Sequence, residues 1–268
     1  MKTDKLKKTV TTLFILLTIL MAIPICIFAE TKNILNKKNE YGGQTIMTTY
    51  SQNEGEYKRG VSREIIFLDG KEKKMKMEIY HTDESITNDG VYKSIMYLDG
   101  NWKRMITERY FTDEYAGRNG ILKSIIYFDN DGKMVKGDRY FTDVSVRKDG
   151  VLKHIMYFDS KENAAIMEFY YANEYARKNG IFKNVTYLDS NGNKIITERY
   201  YTDEHARRKS IFKIMTYIDS SGKVLKSEHF HTDEFVKKKK ISKTIMYFDG
   251  NGKVVITELY DKNGKLLE

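Results

Sequence analysis

The sequence is almost free of three residue types that often carry structure or chemistry. Its only cysteine, Cys26, and its only proline, Pro24, lie in the first 29 residues, and Trp102 is its only tryptophan. The rest of the chain therefore has no thiol, which excludes a disulfide framework, a thiolate metal site and a cysteine nucleophile. Stability must come from burial and strand pairing.

Catalytic and metal-binding motifs are also absent. The sequence contains no HExxH, no GxSxG and no phosphate-cradling glycine-rich loop, and its five histidines lack metal-ligand spacing. The stretch from Asp129 to Gly132 resembles the start of a calcium loop, but Tyr140 stands where that loop needs a bidentate Glu. We therefore expect no catalytic residue, no metal and no cofactor, and we predict that the protein is not an enzyme.

What the sequence does contain is a thirty-residue repeat without insertions or deletions. The copies, called units here, begin at Gly60, Gly90, Gly120, Gly150, Gly180, Ser210 and Lys240. A fixed period of this length is typical of stacked-repeat architectures. It predicts an all-β, elongated antiparallel array of β-hairpins, with seven 30-residue units plus caps and about fourteen strands in the units.

Residues 1–29 read as an export signal. Lysines precede an apolar run from Leu13 to Ile23, Pro24 breaks the run, and Ala29 is a candidate cleavage residue. The alternatives are an uncleaved membrane anchor, since residues 10–28 are nearly long enough to span a bilayer, and, third, a lipoprotein. We expect a bacterial protein that is secreted or held at the cell surface.

The segments that flank the units have distinct compositions. Residues 30–43 are polar and predict a linker, and residues 44–59 read as a half-repeat, because Tyr50 matches Tyr80 of the next copy. Units occupy residues 60–259, and residues 260–268 read as a short hairpin. Atypical terminal repeats are what a stack needs where it has no neighbour, so both flanking pieces are predicted caps.

Each unit predicts two strands joined by a tight turn. β-branched and aromatic residues run from Val91 to Leu98, Asp99 starts the turn, and a second strand runs from about Arg104 to Phe111. If the loop of the last unit is Asn251 and Gly252, Ile245 faces Glu258, Tyr247 faces Ile256, and Lys243 lies diagonal to Glu258. A three-residue loop with a bulge would shift these partners by one.

The segment after each hairpin allows two interpretations. In TDEYAGRNG, Thr112 or Asp113 could cap a helix and Gly120 could end it, but seven residues are few for a helix. One or two helical turns and an irregular loop remain equally open.

These residues carry a resemblance to a known family. The unit from Gly120 to Tyr140 resembles the bacterial MORN-variant repeats, which are hairpins with an aromatic residue, a Gly-Lys turn and then Glu and Tyr; the matching residues are Lys123, Tyr127, Gly132, Lys133, Asp138 in the Glu place, and Tyr140. Tyr247 to Lys253 is more weakly similar to the choline-binding and glucan-binding wall repeats. The MORN resemblance implies a scaffold or interaction module near a membrane.

Two aromatic columns recur at the same place in every unit, and either could stack sugar rings, although cross-strand packing is their commoner use. The first column is Phe67, Tyr97, Tyr127, Tyr157, Tyr187, Tyr217 and Tyr247. The second is Tyr80, Tyr110, Tyr140, Tyr170, Tyr200, Phe230 and Tyr260.

A basic column also recurs, and its density rises toward the C-terminus. Its members are Arg118, Arg147, Lys148, Arg177, Lys178, Arg207, Arg208, Lys209, Lys237, Lys238, Lys239 and Lys240. The chain has a formal net charge of +9 and stays basic without its first 29 residues. In a stack these bases would lie at intervals of about 10 Å, twice the strand spacing, which suits a polyanion such as teichoic acid. The alternative is that neighbouring acids such as Asp113 neutralise the column.

The sequence thus predicts an exported scaffold that binds a partner at the cell envelope. The favoured partner is an envelope protein, and the alternative is an anionic wall polymer or glycan held by the tyrosine rows or the basic column. Membrane contact is expected only through residues 10–28. Nucleic acid is disfavoured because export removes access to it.

Overall fold

The computed structural model describes residues 31–36, 38–52 and 54–267, so the predicted export signal lies outside the described residues. The described chain forms one open antiparallel sheet in which sixteen strands follow one another in sequence order. The strands are β1 Thr31–Asn36, β2 Gly42–Thr49, β3 Val61–Asp69, β4 Lys74–His81, β5 Val91–Leu98, β6 Arg104–Phe111, β7 Ile121–Phe128, β8 Met134–Phe141, β9 Val151–Phe158, β10 Ala164–Tyr171, β11 Ile181–Leu188, β12 Lys194–Tyr201, β13 Ile211–Ile218, β14 Val224–His231, β15 Lys243–Phe248 and β16 Val254–Tyr260. The predicted hairpin array is confirmed.

Short helices connect the hairpins, so the segment after each hairpin is helical and not an irregular loop. Within the described residues they are α1 Gly55–Lys58, α2 Asp83–Asp89, α3 Asp113–Asn119, α4 Asp143–Asp149, α5 Asn173–Asn179, α6 Asp203–Lys209 and α7 Asp233–Lys239. Thr112 caps α3 by accepting a hydrogen bond from the Tyr115 amide at 3.3 Å, and Gly120 ends it in the left-handed region.

The segment that the composition predicts to be a linker contains a strand instead. Thr31–Asn36 pairs with β2, with Ile34 opposite Ile46, and adds a strand to the array. Without β1, the backbone N–H and C=O groups on the outer side of β2 would have no partners at the sheet edge. β1 provides those partners. At the other end, Tyr260 forms a bridge with Leu266, so the last residues do fold back as a short hairpin.

The predicted register is confirmed, but the turn that produces it is different. Ile245 lies opposite Glu258 and Tyr247 opposite Ile256, whereas Phe248 lies opposite Val254. The loop therefore holds three residues between Asp249 and Lys253, and Val255 is an extra, bulged residue that restores the pairing. The Asp249 carboxylate accepts hydrogen bonds from the Asn251 and Lys253 amides, both at 2.9 Å, which fixes the turn.

A second bulge lies at the start of the first strand in six of the seven units and helps to define two faces of the sheet. Val91 pairs with Phe111 and Lys93 with Tyr110, so Tyr92 is the extra residue. We call the face that carries Lys93, Tyr97 and Glu108, with their equivalents in other units, the lysine face. The opposite face carries Ser94, Arg109 and Phe111 and is called the helix face, because Tyr115 of α3 stacks on Phe111 at 4.8 Å.

The helices form a row along one side of the sheet, and from α3 onward each contacts the residue just after the preceding helix. The Thr112 amide donates to the Gly90 carbonyl at 2.9 Å, and the same bond recurs in the following units. A Cβ at Gly90 would lie 2.1 Å from the Tyr115 ring, and Gly90 also has a φ of 70°. Glycine at this position therefore satisfies both the close helix contact and the backbone conformation.

The buried residues lie along the middle of the sheet and under the helices rather than in a separate core. Ile95, Ile155, Val185 and Ile245 are buried at equivalent positions of the lysine face, and Ala116, Ala176 and Ala206 are buried in α3, α5 and α6. The units thus bury one another's central residues, as expected for a stack.

Candidate functional site

The centre of the lysine face is a row of carboxylates that bind the lysine of the next unit. Glu108 lies 2.8 Å from the Lys123 ammonium and accepts a hydrogen bond of 2.5 Å from the Tyr110 hydroxyl. Equivalent acid–lysine pairs are Glu78–Lys93, Asp138–Lys153, Glu168–Lys183, Glu198–Lys213 and Glu228–Lys243, at 2.7 to 3.8 Å. These lysines tie consecutive units together and are not free for a ligand.

Four acids of this row, Glu78, Glu108, Glu168 and Glu228, have pKa values below the ordinary value, which keeps them ionised. Burial acts to raise the pKa of Glu108, but hydrogen bonds from Lys123 and Tyr110 outweigh it and leave the pKa below its ordinary value. The same balance of burial against Lys183 and Tyr170 lowers the pKa of Glu168. Carboxylates with depressed pKa values, such as Glu108 and Glu168, serve ion pairing rather than proton transfer at neutral pH.

The first tyrosine column lies on the lysine face. Its rings are half-buried, and several contact lysine or glutamate side chains. Lysine ammoniums lie over the rings of Tyr127 and Tyr217 at 4.5 and 4.0 Å from the centroids. The hydroxyl groups of Tyr187 and Tyr247 donate to Glu198 and Glu258. The half-buried members of this column are Tyr97, Tyr127, Tyr157, Tyr187, Tyr217 and Tyr247.

The second aromatic column also contacts lysines, each contributed by a neighbouring first strand. The Lys123 ammonium lies 4.7 Å from the Tyr110 ring centroid, and the Lys153 ammonium lies 4.8 Å from that of Tyr140. Such contacts stabilise the sheet and occupy ring faces that a sugar would need.

Sequence reasoning missed an apolar column that is exposed on the lysine face. Its members stand at the starting bulge of the five central first strands, and they are 41 to 51% exposed: Tyr92, Leu122, Leu152, Phe182 and Phe212. Tyr92, Phe182 and Phe212 lie beside Tyr110, Tyr200 and Phe230, with ring centroids 6.2 to 6.4 Å apart. We call these five residues the apolar column. The apolar residue type at the third position of these units was the available signal, but strand alternation alone does not reveal a bulge.

The predicted basic column lies at the C-terminal ends of the helices, where all its members are exposed: Arg118, Arg147, Lys148, Arg177, Lys178, Arg207, Arg208, Lys209, Lys237, Lys238, Lys239 and Lys240. Arg118 forms an ion pair with Glu114 at 3.4 Å, and Arg208 contacts His205. Within the described residues the other members form no ion pair. In α5, α6 and α7 the acids stand in the first turn and, in the described chain, form no ion pair with the bases of the last turn.

The charge of the helix row changes along the molecule. α2 contains three acids and no base, whereas α7 contains two acids and three lysines and is followed by Lys240. Lys240 has a φ of 66°, in the left-handed region where most other units have glycine. A lysine is kept there despite a backbone conformation that costs a side chain about 1 kcal/mol or more.

The described residues offer no group of His, Cys, Asp or Glu that could hold a metal ion. The Asp129 carboxylate accepts hydrogen bonds from the Asp131 and Lys133 amides at 2.9 and 3.0 Å, as expected for a turn. His81 and His231 contact the hydroxyl groups of Ser94 and Thr244, and burial lowers the pKa of both histidines.

In the described part of the chain, no helix is long and apolar enough to cross a membrane.

Comparisons with known proteins add no family and no function. No protein-family model and no curated protein matches the chain. The Staphylococcus aureus TarM G117R mutant in complex with Fondaparinux, alpha-GlcNAc-glycerol and UDP is 10% identical with a TM-score of 0.22, over 56% of this chain and 22% of that chain.

Two further solved structures are similar to the same low degree. The GtfA/B complex bound to UDP and GlcNAc is 13% identical with a TM-score of 0.21, over 54% of this chain and 24% of that chain. TcdB2-TccC3 without its hypervariable C-terminal region is 11% identical with a TM-score of 0.16, over 92% of this chain and 20% of that chain. Likenesses this weak, to less than a quarter of each solved chain, carry no argument, and the resemblance to MORN-variant repeats stays a prediction.

Proposed function

We propose that this chain is a non-enzymatic, exported repeat scaffold that binds another protein at the cell envelope. The observation that carries the proposal is the apolar column, in which five large side chains are exposed at one repeated position. Apolar side chains in a continuous row on a surface are typical of protein interaction sites.

The chemistry around the apolar column supports a protein partner over a sugar. The neighbouring lysines and carboxylates already pair with each other, so few polar groups remain to bind sugar hydroxyls. The apolar column repeats at about 10 Å, twice the strand spacing, and one three-residue turn of an extended polyproline II segment spans about 9 Å and returns the side chain to the same side. An extended segment that crosses the strands could therefore place one apolar side chain in each unit.

The experiment replaces the apolar column with serine, because Ser62 and Ser242 occupy its place in the first and last units. Wild-type protein and the variant Y92S/L122S/L152S/F182S/F212S are cross-linked to envelope extract, and captured proteins are compared. A control, M105A/I195A/L225A, removes exposed apolar residues at the other bulge, where Ala165 occurs naturally. We expect the serine variant alone to lose a defined partner, and equal capture by all three proteins would contradict the proposal.

A second candidate function is the binding of an anionic wall polymer by the helix-end bases. The observation that favours it is that most of these bases are exposed and without ion pairs, whereas the lysines of the sheet are paired. Unneutralised bases at a regular spacing attract a flexible polyanion, and salt screens that attraction.

This candidate is tested on purified cell walls at increasing salt. The variant R177Q/K178Q/R207Q/K209Q/K237Q/K239Q removes six bases from α5, α6 and α7. A control, K71Q/K73Q/K161Q/K223Q/K253Q/K265Q, removes six exposed lysines from the turns. We expect binding that weakens sharply with salt and is lost only in the helix variant. Binding that ignores salt, or no binding at low salt, would exclude the polymer.

A further inference from the structure

A groove on the helix face, away from both surfaces described above, gathers two arginines. It has a volume of about 820 Å³, and its polar lining includes His81, Ser94, Arg109, Ser124 and Arg139. Arg109 pairs with Ser124 across β6 and β7, and Ser124 pairs with Arg139 across β7 and β8. The three residues therefore stand in one line across the strands, with the serine between the two arginines.

Neither arginine is neutralised within the described residues. Both are exposed, and neither has a carboxylate within ion-pairing distance. Two acids also line the groove: Asp138 belongs to the lysine face, where it pairs with Lys136 and Lys153, and Asp89 ends α2 without pairing to either arginine. The Ser124 hydroxyl has no hydrogen-bond partner in the described chain.

The floor of the groove is opened by a glycine that the fold does not require. Gly137 has an ordinary strand backbone, and the same position carries Met77, Thr107, Met167, Thr197, Ser227 and Thr257 in other units. A Cβ at Gly137 would make ordinary contacts, 3.5 Å from Phe158 and 3.6 Å from Met156. Glycine inside a strand lowers stability relative to alanine and often marks the close approach of a ligand.

We propose that this groove binds a phosphate monoester of an apolar alcohol. The guanidinium groups of Arg109 and Arg139 hold the phosphate from two sides, since the planar donor fork of arginine matches phosphate oxygens. The Ser124 hydroxyl donates to the same group. The apolar part lies on the floor made by Ile126, Met134, Met156 and Phe158, over the gap at Gly137.

Isothermal titration calorimetry on the full-length protein tests the proposal with three probes. Phenyl phosphate should bind more tightly than inorganic phosphate, because the phenyl ring adds apolar burial on the floor. Benzoate should bind more weakly than phenyl phosphate, because it carries a single charge. If phenyl phosphate does not bind, or binds no better than inorganic phosphate, the proposal is overturned.

Variants then locate the bound probe. R109Q/R139Q should raise the dissociation constant of phenyl phosphate at least tenfold. G137T should do the same by filling the floor, and threonine at three equivalent positions indicates that the strand tolerates it. The matched control is R199Q, an exposed arginine at the same repeat position whose strand partners are Asn184 and Ile214.

R199Q should bind as the wild type does, and loss in R199Q equal to that in R109Q/R139Q would overturn the proposal. The serine variant of the apolar column and the glutamine variant of the helix ends should also keep phenyl phosphate binding. Failure of either earlier proposal is therefore distinguishable from failure of this one.

Discussion

At the residue scale, the molecule contains two kinds of basic side chain with different tasks. Lys123, Lys153 and Lys183 are half-buried, and each pairs with an acid of the neighbouring strand. Bases at the helix ends, such as Arg207 and Lys238, are exposed and have no such partner in the described chain. The first kind stabilises the sheet, whereas the second is available to attract a polyanion.

The paired acids predict how stability depends on pH. Burial opposes ionisation of Glu108 and Glu168, but lysine and tyrosine hydrogen bonds lower their pKa values below the unfolded value near 4.5. A carboxyl group with a depressed folded pKa contributes stability above its unfolded pKa, and loses it as pH falls through the folded pKa. The free energy of unfolding should therefore fall as pH drops from about 5 to about 3. Chemical denaturation at several pH values measures it.

A substitution isolates the contribution of one pair. Glu168→Gln should lower the free energy of unfolding at pH 7 by about 1 to 3 kcal/mol, because the Lys183 charge loses its partner, and should flatten the pH dependence. Glu114→Gln is the control, since the Glu114 side chain is 81% exposed and should change stability by a few tenths of a kcal/mol at most. A Glu168 variant with wild-type pH dependence would contradict this account.

At the element scale, the sequence predicted the strands and their register, left the helices open as one of two alternatives, and did not reveal the bulges. Lysine and glutamate at repeated positions specified the pairing of Lys243 with Tyr260 beside Glu258. The bulge at Tyr92 left no mark in the strand alternation, so the exposed apolar column could not be foreseen. The helices are too short to be stable alone, and from α3 onward each is held by contacts with the residue just after the preceding helix, such as Gly90 after α2.

Two glycine substitutions measure the contact between helices. Gly90→Ala and Gly132→Ala both place a side chain at positive φ, but only Gly90 faces a ring of the next helix, because the space around Gly132 is open. We expect a loss of about 1 kcal/mol for Gly132→Ala from the backbone alone. Gly90→Ala should lose roughly 1 to 3 kcal/mol more, because Tyr115 must move.

Thermal or chemical unfolding of the two alanine variants gives the comparison. Equal losses would mean that the packing of Tyr115 against Gly90 contributes nothing to stability. The double variant Gly90→Ala with Tyr115→Ala should recover part of the loss, since the clash is then removed.

At the scale of the whole molecule, each strand contacts mainly the strands before and after it, so stability is shared between neighbours. Deletion of residues 180–209 removes one whole unit and joins equivalent positions. The shortened protein should keep the circular dichroism spectrum of the parent, with a lower free energy of unfolding. Deletion of residues 180–194 is the control. It removes β11 and leaves β10 followed by β12, two strands that run in the same direction and cannot pair as neighbours in an antiparallel sheet, so it should abolish the native spectrum.

The thirty-residue spacing between the left-handed residues Gly90, Gly120, Gly150 and Gly180 has an evolutionary consequence. A recombination event between any two copies of the coding repeat returns the chain to the same point of the structure. The number of units can therefore increase or decrease in single inherited steps, and the length of the sheet changes without a change of fold.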